Sequence, residues 1–211
     1  MTDDSFSAEE YWDGRYAESD RMWSGKPNPV LVREAAGLQP GRALDLGCGE
    51  GADAIWLAGQ GWQVTAVDIS RLALDRAAAH AAAEGVADRI DWQQHDLAAS
   101  FPDGAFDLVS AQFLHSPVEM PREKILRNAA TAVAPGGVLL IEGHGGFPAW
   151  EHNHHPDLHF PTPDEVIDDL GLRDGQWEVL LSEEHERIQN DPDGRPTTRI
   201  DNTVKARRLP A

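Results

Sequence analysis

The chain is predicted to fold as an α/β protein, a doubly wound, mostly parallel sheet that ends in an antiparallel hairpin. Three observations carry that expectation. Short apolar runs alternate with helical segments from residue 42 onward, a glycine-rich turn directly follows the first run, and Asp191-Pro-Asp-Gly194 separates two strand-like runs near the C-terminus. Strands that alternate with helices are covered on both faces and pair in parallel. A tight turn between two strands pairs them antiparallel instead.

The elements follow in order. Ser7 can start a short polar helix over 7–18 that carries Tyr11, Trp12 and Tyr16, and a Pro-broken loop over 24–29 leads to a helix over 30–37. Residues 42–46 form the first strand, 47–51 the turn, and 52–60 a helix. The second strand spans 62–67 and ends at Asp68; Ser70 caps an Ala-rich helix that Gly85 closes in the left-handed conformation. Strands at 90–94 and 106–111 follow, then a helix over 121–133 that stops before Pro135-Gly-Gly137, and a fifth strand at 138–142. A helix over 164–170 and strands at 177–182 and 198–207 complete the chain. The Pro- and His-rich stretch 143–163 reads as a long loop, a kind of segment that in compact domains usually has a function.

Composition narrows the partners. Acidic residues outnumber basic ones 36 to 18, a formal net charge of −18, and such a surface repels nucleic-acid phosphates and anionic membranes. A single cysteine, Cys48, allows no intrachain disulfide and suits a cytoplasmic setting. The opening residues lack the basic and apolar regions of a signal peptide, and no run reaches the ~18 apolar residues of a membrane span. The Arg- and Ala-rich usage points to a bacterial source. A monomer or homodimer is expected.

Residues 44–51 read Leu-Asp-Leu-Gly-Cys-Gly-Glu-Gly. Glycines there let the backbone turn sharply at the carboxyl end of the first strand, where doubly wound sheets bind ligands, and let a ligand approach closely. The spacing is Gly-x-Gly-x-Gly, not the Gly-x-Gly-x-x-Gly that cradles a pyrophosphate, so a dinucleotide dehydrogenase is disfavoured. Asp68, ending the second strand, can accept from both hydroxyls of a ribose, and Asp96, after the third, from an adenine amino group. Each aspartate alone reads as a helix or turn cap; three acidic strand ends together read as a nucleoside site.

At these residues the chain resembles the class I S-adenosylmethionine-dependent methyltransferases, with a Rossmann-like fold. LDLGCGEG, VTAVDIS, HDL, FDLVSAQ and APGGVLLIEG carry the resemblance across residues 40–145. It implies S-adenosylmethionine as cofactor. Asp45 and the loop of Gly47, Cys48, Gly49 and Gly51 would hold its methionine end. Asp68 would hold the ribose, Ile69 would pack on adenine, Asp96 and Leu97 would read the adenine edge, and Gln112 would line the cofactor site. More loosely, Tyr11-Trp-Asp-Gly-Arg-Tyr16, Phe160-Pro161 and the C-terminal hairpin are similar to the tellurite-resistance and thiopurine methyltransferase group, which methylates soft nucleophiles. That similarity implies a helical cap over residues 1–38, with Trp12, Arg15 and Trp23 covering the cofactor of a domain spanning 39–211.

The expected reaction is methyl transfer to a small molecule, with a thiol or chalcogen acceptor favoured over O- or N-methylation. A regulatory protein that binds S-adenosylmethionine or a metal without turnover is the reading from another class. His115 and His144 follow the fourth and fifth strands and are the candidate catalytic bases, since an imidazole titrates near neutrality. His152, His154, His155 and His159 with Glu151 or Asp157 would suit a metal, but Pro156 interrupts their helical spacing, and no metal site is assigned.

Overall fold

The computed structural model describes residues 7–151 and 159–210. Among the described residues six α-helices, a short 3-10 turn at Ala87–Arg89 and seven strands follow one another. Ser7 caps α1 (Ala8–Ala17) in a capping box with Glu10, and α2 spans Pro29–Ala35. Strands β1 (Arg42–Leu46), β2 (Gln63–Asp68), β3 (Ile90–Gln94), β4 (Phe106–Gln112) and β5 (Val133–His144) alternate with α3 (Ala52–Gly59), α4 (Arg71–Ala83) and α5 (Arg122–Ala132). Helix α6 (Pro163–Asp169) precedes the hairpin of β6 (Trp177–Asn190) and β7 (Pro196–Arg208).

All seven strands share one sheet in the order β3-β2-β1-β4-β5-β7-β6. The first five are parallel, and β7 and then β6 add antiparallel. Alternate residues of the buried strands point to opposite faces, so the core has two halves. Leu44, Leu46, Val109, Leu139 and Ile141 pack with Ile125 and Ile167 from α5 and α6. Ala43, Val64, Ala66, Leu108 and Leu140 pack with Leu31, Leu57 and Trp62 on the other face, under α2 and α3. The chain leaves β1 outward to β2 and β3, then returns to β4 on the other side, so the sheet's switch point and its crevice lie between β1 and β4.

Two boundaries differ from expectation. Helix α5 runs directly into β5, which already pairs at Val133 with Phe106 and resumes at Val138 after a register shift. The Pro-Gly-Gly run bends the strand start instead of separating two elements. The hairpin is also longer: β6 extends to Asn190 rather than 182, paired with β7 as far as Pro196. Residues 183–190 escape a hydrophobic alternation test because their pattern is inverted, with Glu183, His185, Arg187 and Gln189 on the shielded side and Ile188 78% exposed. Since β5 stops at His144, opposite Asp201, the paired tip beyond those residues overhangs the carboxyl end of the parallel strands.

No described helix is long and apolar enough to cross a membrane. Gly51, at the start of α3, has φ +86°, and a Cβ there would lie 2.7 Å from the Trp92 ring. Gly51→Ala should therefore lower stability by about 2 kcal/mol, from left-handed strain and overpacking together. The midpoint of urea unfolding measures it; an unchanged midpoint contradicts the packing described.

Candidate active site

A cavity of about 540 Å³ occupies the crevice at the carboxyl ends of β1, β2 and β4. Asp45, Gly47, Cys48, Gly49, Asp68, Ile69, Asp96, Leu97, Gln112, His115 and His144 all line it, together with Trp12 and Trp23 from the N-terminal segment. Two expected members lie elsewhere. Arg15 is outside the lining and pairs with Glu18 at 2.6 Å on the exposed side of α1, one residue before the buried Tyr16. Gly51 stands behind the loop, where its missing side chain admits Trp92 and Ala77.

The glycine loop is stitched down by β2. Gly47 and Cys48 both donate their N–H to the Val67 carbonyl at 2.9 Å, so this stretch has carbonyl oxygens rather than those N–H groups to offer a ligand. Asp68 accepts from Gly49 N at 2.8 Å through Oδ2 and from Ser70 N at 2.9 Å through Oδ1. At Gly49 (φ +54°) a Cβ would come within 3.0 Å of the Tyr16 hydroxyl and 3.3 Å of the Trp23 indole nitrogen. The loop and the N-terminal aromatics approach each other that closely only because the residue is glycine.

The floor is acidic and dry. Burial, reinforced by Asp53 and Asp68, pushes Asp45 well above the ordinary carboxylate range, and its buried Oδ2 has no hydrogen-bond partner among the described residues. Burial also raises Asp53, against two hydrogen bonds from Asn28, and Asp68, against the backbone N–H groups that it accepts. Burial, then Asp68 and Asp45, keep the Cys48 thiol protonated, so it is no nucleophile. A cationic ligand would relieve this crowding of carboxylates. S-adenosylmethionine carries an ammonium and a sulfonium, and the Asp45 oxygen without a partner among the described residues fits such a group.

The N-terminal segment is fastened over the loop by residues that pattern reading did not single out. Glu50, 5% exposed, accepts from Met22 N and Trp23 N at 3.1 Å and pairs with Arg76 at 3.0 Å. Asp53 accepts from the backbone and side-chain nitrogens of Asn28, both at 2.7 Å. Trp23 donates to the Tyr16 hydroxyl at 3.1 Å, and Trp12 to Ser116 Oγ at 3.3 Å.

The far wall holds the histidines. Their rings stack with centroids 5.0 Å apart and planes 8° apart, and the Phe113 ring lies 4.8 Å from that of His144. His115 Nε2 accepts from the His144 backbone N–H at 3.1 Å, and burial with the nearby Arg122 charge pulls its pKa down to about 3. It is a neutral ring whose one acceptor nitrogen is already used. His144 differs. Its Nδ1 faces Asp201 Oδ1 at 3.0 Å, and Asp201 also accepts from Arg187 on the neighbouring strand. Burial opposes ionisation of Asp201, but those two hydrogen bonds keep it below the ordinary carboxylate value. Burial outweighs the Asp201 hydrogen bond and lowers His144, which is therefore neutral at pH 7 with Nδ1 as donor and Nε2 as the open lone pair.

Arg187 comes from the part of β6 beyond the expected strand 177–182, whereas Asp201 lies within the expected strand 198–207, at the base of the overhang opposite His144. Glu151 and His159 are the described ends of the His-rich stretch, and His159 pairs with Glu165 at 3.2 Å. His152, His154, His155 and Asp157 lie outside the described residues. Among the described residues, no group of three or more His, Cys, Asp or Glu could hold a metal ion.

Comparison with known proteins agrees with the fold and the loop. The protein studied for conversion of a disulfide bond into a thioacetal group during echinomycin biosynthesis is 26% identical, with a TM-score of 0.73 over 96% of this chain and 92% of that one. TehB from Haemophilus influenzae is 20% identical, with a TM-score of 0.71 over 95% of this chain and 66% of that one. With both, the chain shares its α/β, mostly parallel architecture. Residues 43–137 match the model of the methyltransferase-domain family. Among curated proteins, a probable chloroplastic tocopherol O-methyltransferase from Oryza sativa is 32% identical over 141 residues, 65% of this chain and 37% of that protein. The chain spans 37%, 48% and 60% of the first three curated relatives that it matches.

Glu142 lies beside the site on β5, in register with Gln112, and is 1% exposed with Oε2 unpartnered. Burial and the Asp201 charge raise its pKa from 4.5 to about 8. A carboxyl raised on folding favours the native state while protonated, so its stabilising effect is full below pH 4.5 and is lost as pH rises to about 8. Glu142→Gln should flatten that decline. Urea unfolding between pH 5 and 9 tests it, and an unaltered pH slope in the variant rules the assignment out.

Proposed function

We propose that this chain transfers the methyl group of S-adenosylmethionine to a small-molecule nucleophile that loses a proton on methylation. One observation carries the reading: His144, with Asp201 on Nδ1 and Nε2 open, lines the same cavity as the glycine loop and Asp68. When bound, S-adenosylmethionine supplies an electrophilic methyl group on a sulfonium that departs without acid assistance. Asp45 and the loop of Gly47, Cys48 and Gly49 would hold its methionine part, Asp45 offering an oxygen to the ammonium, and Asp68 and Asp96 would hold its nucleoside. Trp12 and Trp23 would cover it, with residues 8–35 as a lid on the domain that follows.

On the acceptor side, His144 Nε2 would take the proton that the acceptor loses on methylation. Asp201 fixes the tautomer and steadies the imidazolium that results, the role a carboxylate has beside any catalytic histidine. The His115 and Phe113 rings lie against that of His144. Proximity and exclusion of water supply the remainder of the rate.

A thiol or related chalcogen is the acceptor we favour. The resemblance of the flanking segments supports it, as does the 26% identity over nearly the whole chain to the protein of the disulfide-to-thioacetal conversion. A phenolic hydroxyl is the second reading, favoured by the curated O-methyltransferases and by the dyad itself, because a hydroxyl needs a base more than a thiol does.

Calorimetry with S-adenosylmethionine, S-adenosylhomocysteine and NAD should give binding of the first two only; binding of NAD alone overturns the proposal. A panel of aryl thiols, phenols and anilines, scored for S-adenosylhomocysteine, should single out the thiols. His144→Gln should lower kcat about a hundredfold with an unactivated acceptor. Because His144 is depressed below 6.5, log kcat/KM should be flat through neutrality and fall on acidification below pH 6.5. A limb centred above pH 7, or one that persists in the variant, counts against His144 as the base.

A further inference from the structure

Beyond the stacked histidines the crevice opens into a second chamber of about 800 Å³, which shares His115, Ser116 and His144 with the first. Its walls are apolar on one side, where Leu126 and Leu170 meet Phe147 and Phe160, two rings edge to face at 4.9 Å. Against them stand two guanidinium groups, Arg122 in the first turn of α5 and Arg199 on β7. Arg122 Nε donates to the Leu114 carbonyl at 3.1 Å and Arg199 Nε to the Gly146 carbonyl at 2.9 Å. Among the described residues neither forms an ion pair, whereas Arg187 on β6 has Asp201.

That is an unusual arrangement for a chain with twice as many acidic as basic residues. Of the four acidic residues that also line the chamber, Glu123 pairs with Arg127 and Glu165 with Thr162 and His159, while Glu151 and Asp169 share the lining with the two arginines. Both guanidiniums are partly shielded from water, and burial pulls each below its ordinary pKa. Both also depress His115, which places them on the same side of the molecule as the histidine pair. A partly buried cation without a counter-charge is costly, and an anionic ligand removes the cost. Among the described residues neither fork has a carboxylate at ion-pair distance, Asp201 acting on Arg199 only from farther away, and a planar guanidinium suits a bidentate carboxylate.

We infer that the acceptor is an organic anion, an apolar or aromatic body whose carboxylate is received by Arg122 and Arg199 in the second chamber while its nucleophile reaches His144. The inference rests on the methyl-transfer reading for its role, but the anion subsite has its own test. Benzoate and its uncharged counterpart benzamide are titrated into the full chain, with and without S-adenosylhomocysteine. Benzoate should bind at least roughly tenfold more tightly, since a hydrogen-bonded charge pair discriminates by that much. Arg122→Gln or Arg199→Gln should each remove most of the preference, and Arg122→Lys should restore part of it. Thermal unfolding shows whether each variant is folded, and the Lys variant keeps the test open if a Gln variant is not.

Equal binding of the two probes, no measurable benzoate binding at millimolar concentration, or a preference that survives both Gln substitutions overturns the anion subsite. The two ideas fail separately. A chain that binds S-adenosylhomocysteine without preferring benzoate loses only the subsite. One that prefers benzoate through these arginines yet binds no S-adenosylhomocysteine loses the methyl-transfer role, and with it the identification of the anion as an acceptor.

Discussion

The site depends on one carboxylate. Asp68 ends β2 and gives one oxygen to the Gly49 N–H and the other to the Ser70 N–H, so it joins the loop after β1 to the start of α4. Ser70 in turn caps α4 through Ala73 N and donates to Asp13 of α1. Three segments distant in sequence therefore meet on the end of one strand. Because Asp68 is buried, losing it would strand two N–H groups without water to replace it, a cost of one to a few kcal/mol for each group left unpaired.

From that point outward the crevice varies in charge. Its first half holds Asp45, Asp53 and Asp68, which burial keeps crowded and eager for positive charge. The second chamber is mixed: Arg122 and Arg199 line it together with Glu123, Glu151, Glu165 and Asp169. The histidine pair stands on the boundary, where Asp201 is committed to His144 and Arg187.

The cofactor half was legible because its requirements are local. A sharp turn after a buried strand needs glycine, and a ligand near that turn needs strand-end acids, so residues 44–51, Asp68 and Asp96 announce themselves in sequence order. The alternation of strands and helices likewise gives the parallel sheet, since each element buries a face of its own period. What stayed hidden was built from long-range pairs. Glu50 holds residues 22 and 23, Asn28 meets Asp53, and Asp201 meets a histidine 57 positions earlier; no spacing rule links such partners. At Arg15 helical phase was what the motif did not reveal: it turns the guanidinium to solvent while Tyr16 turns inward.

The hairpin overhang has one further consequence. Asp201 and Arg187 sit on opposite strands of it, joined across the ladder, and Asp201 is also opposite His144 on β5. Changing the length or composition of the tip at 191–195 would leave those pairs alone. A slip of one residue between β5 and β7 would not, because a strand's side chains alternate and the carboxylate would turn to the other face. The chemistry of the acceptor side is thus tied to the alignment of the last strand, while the tip beyond it is free to diverge.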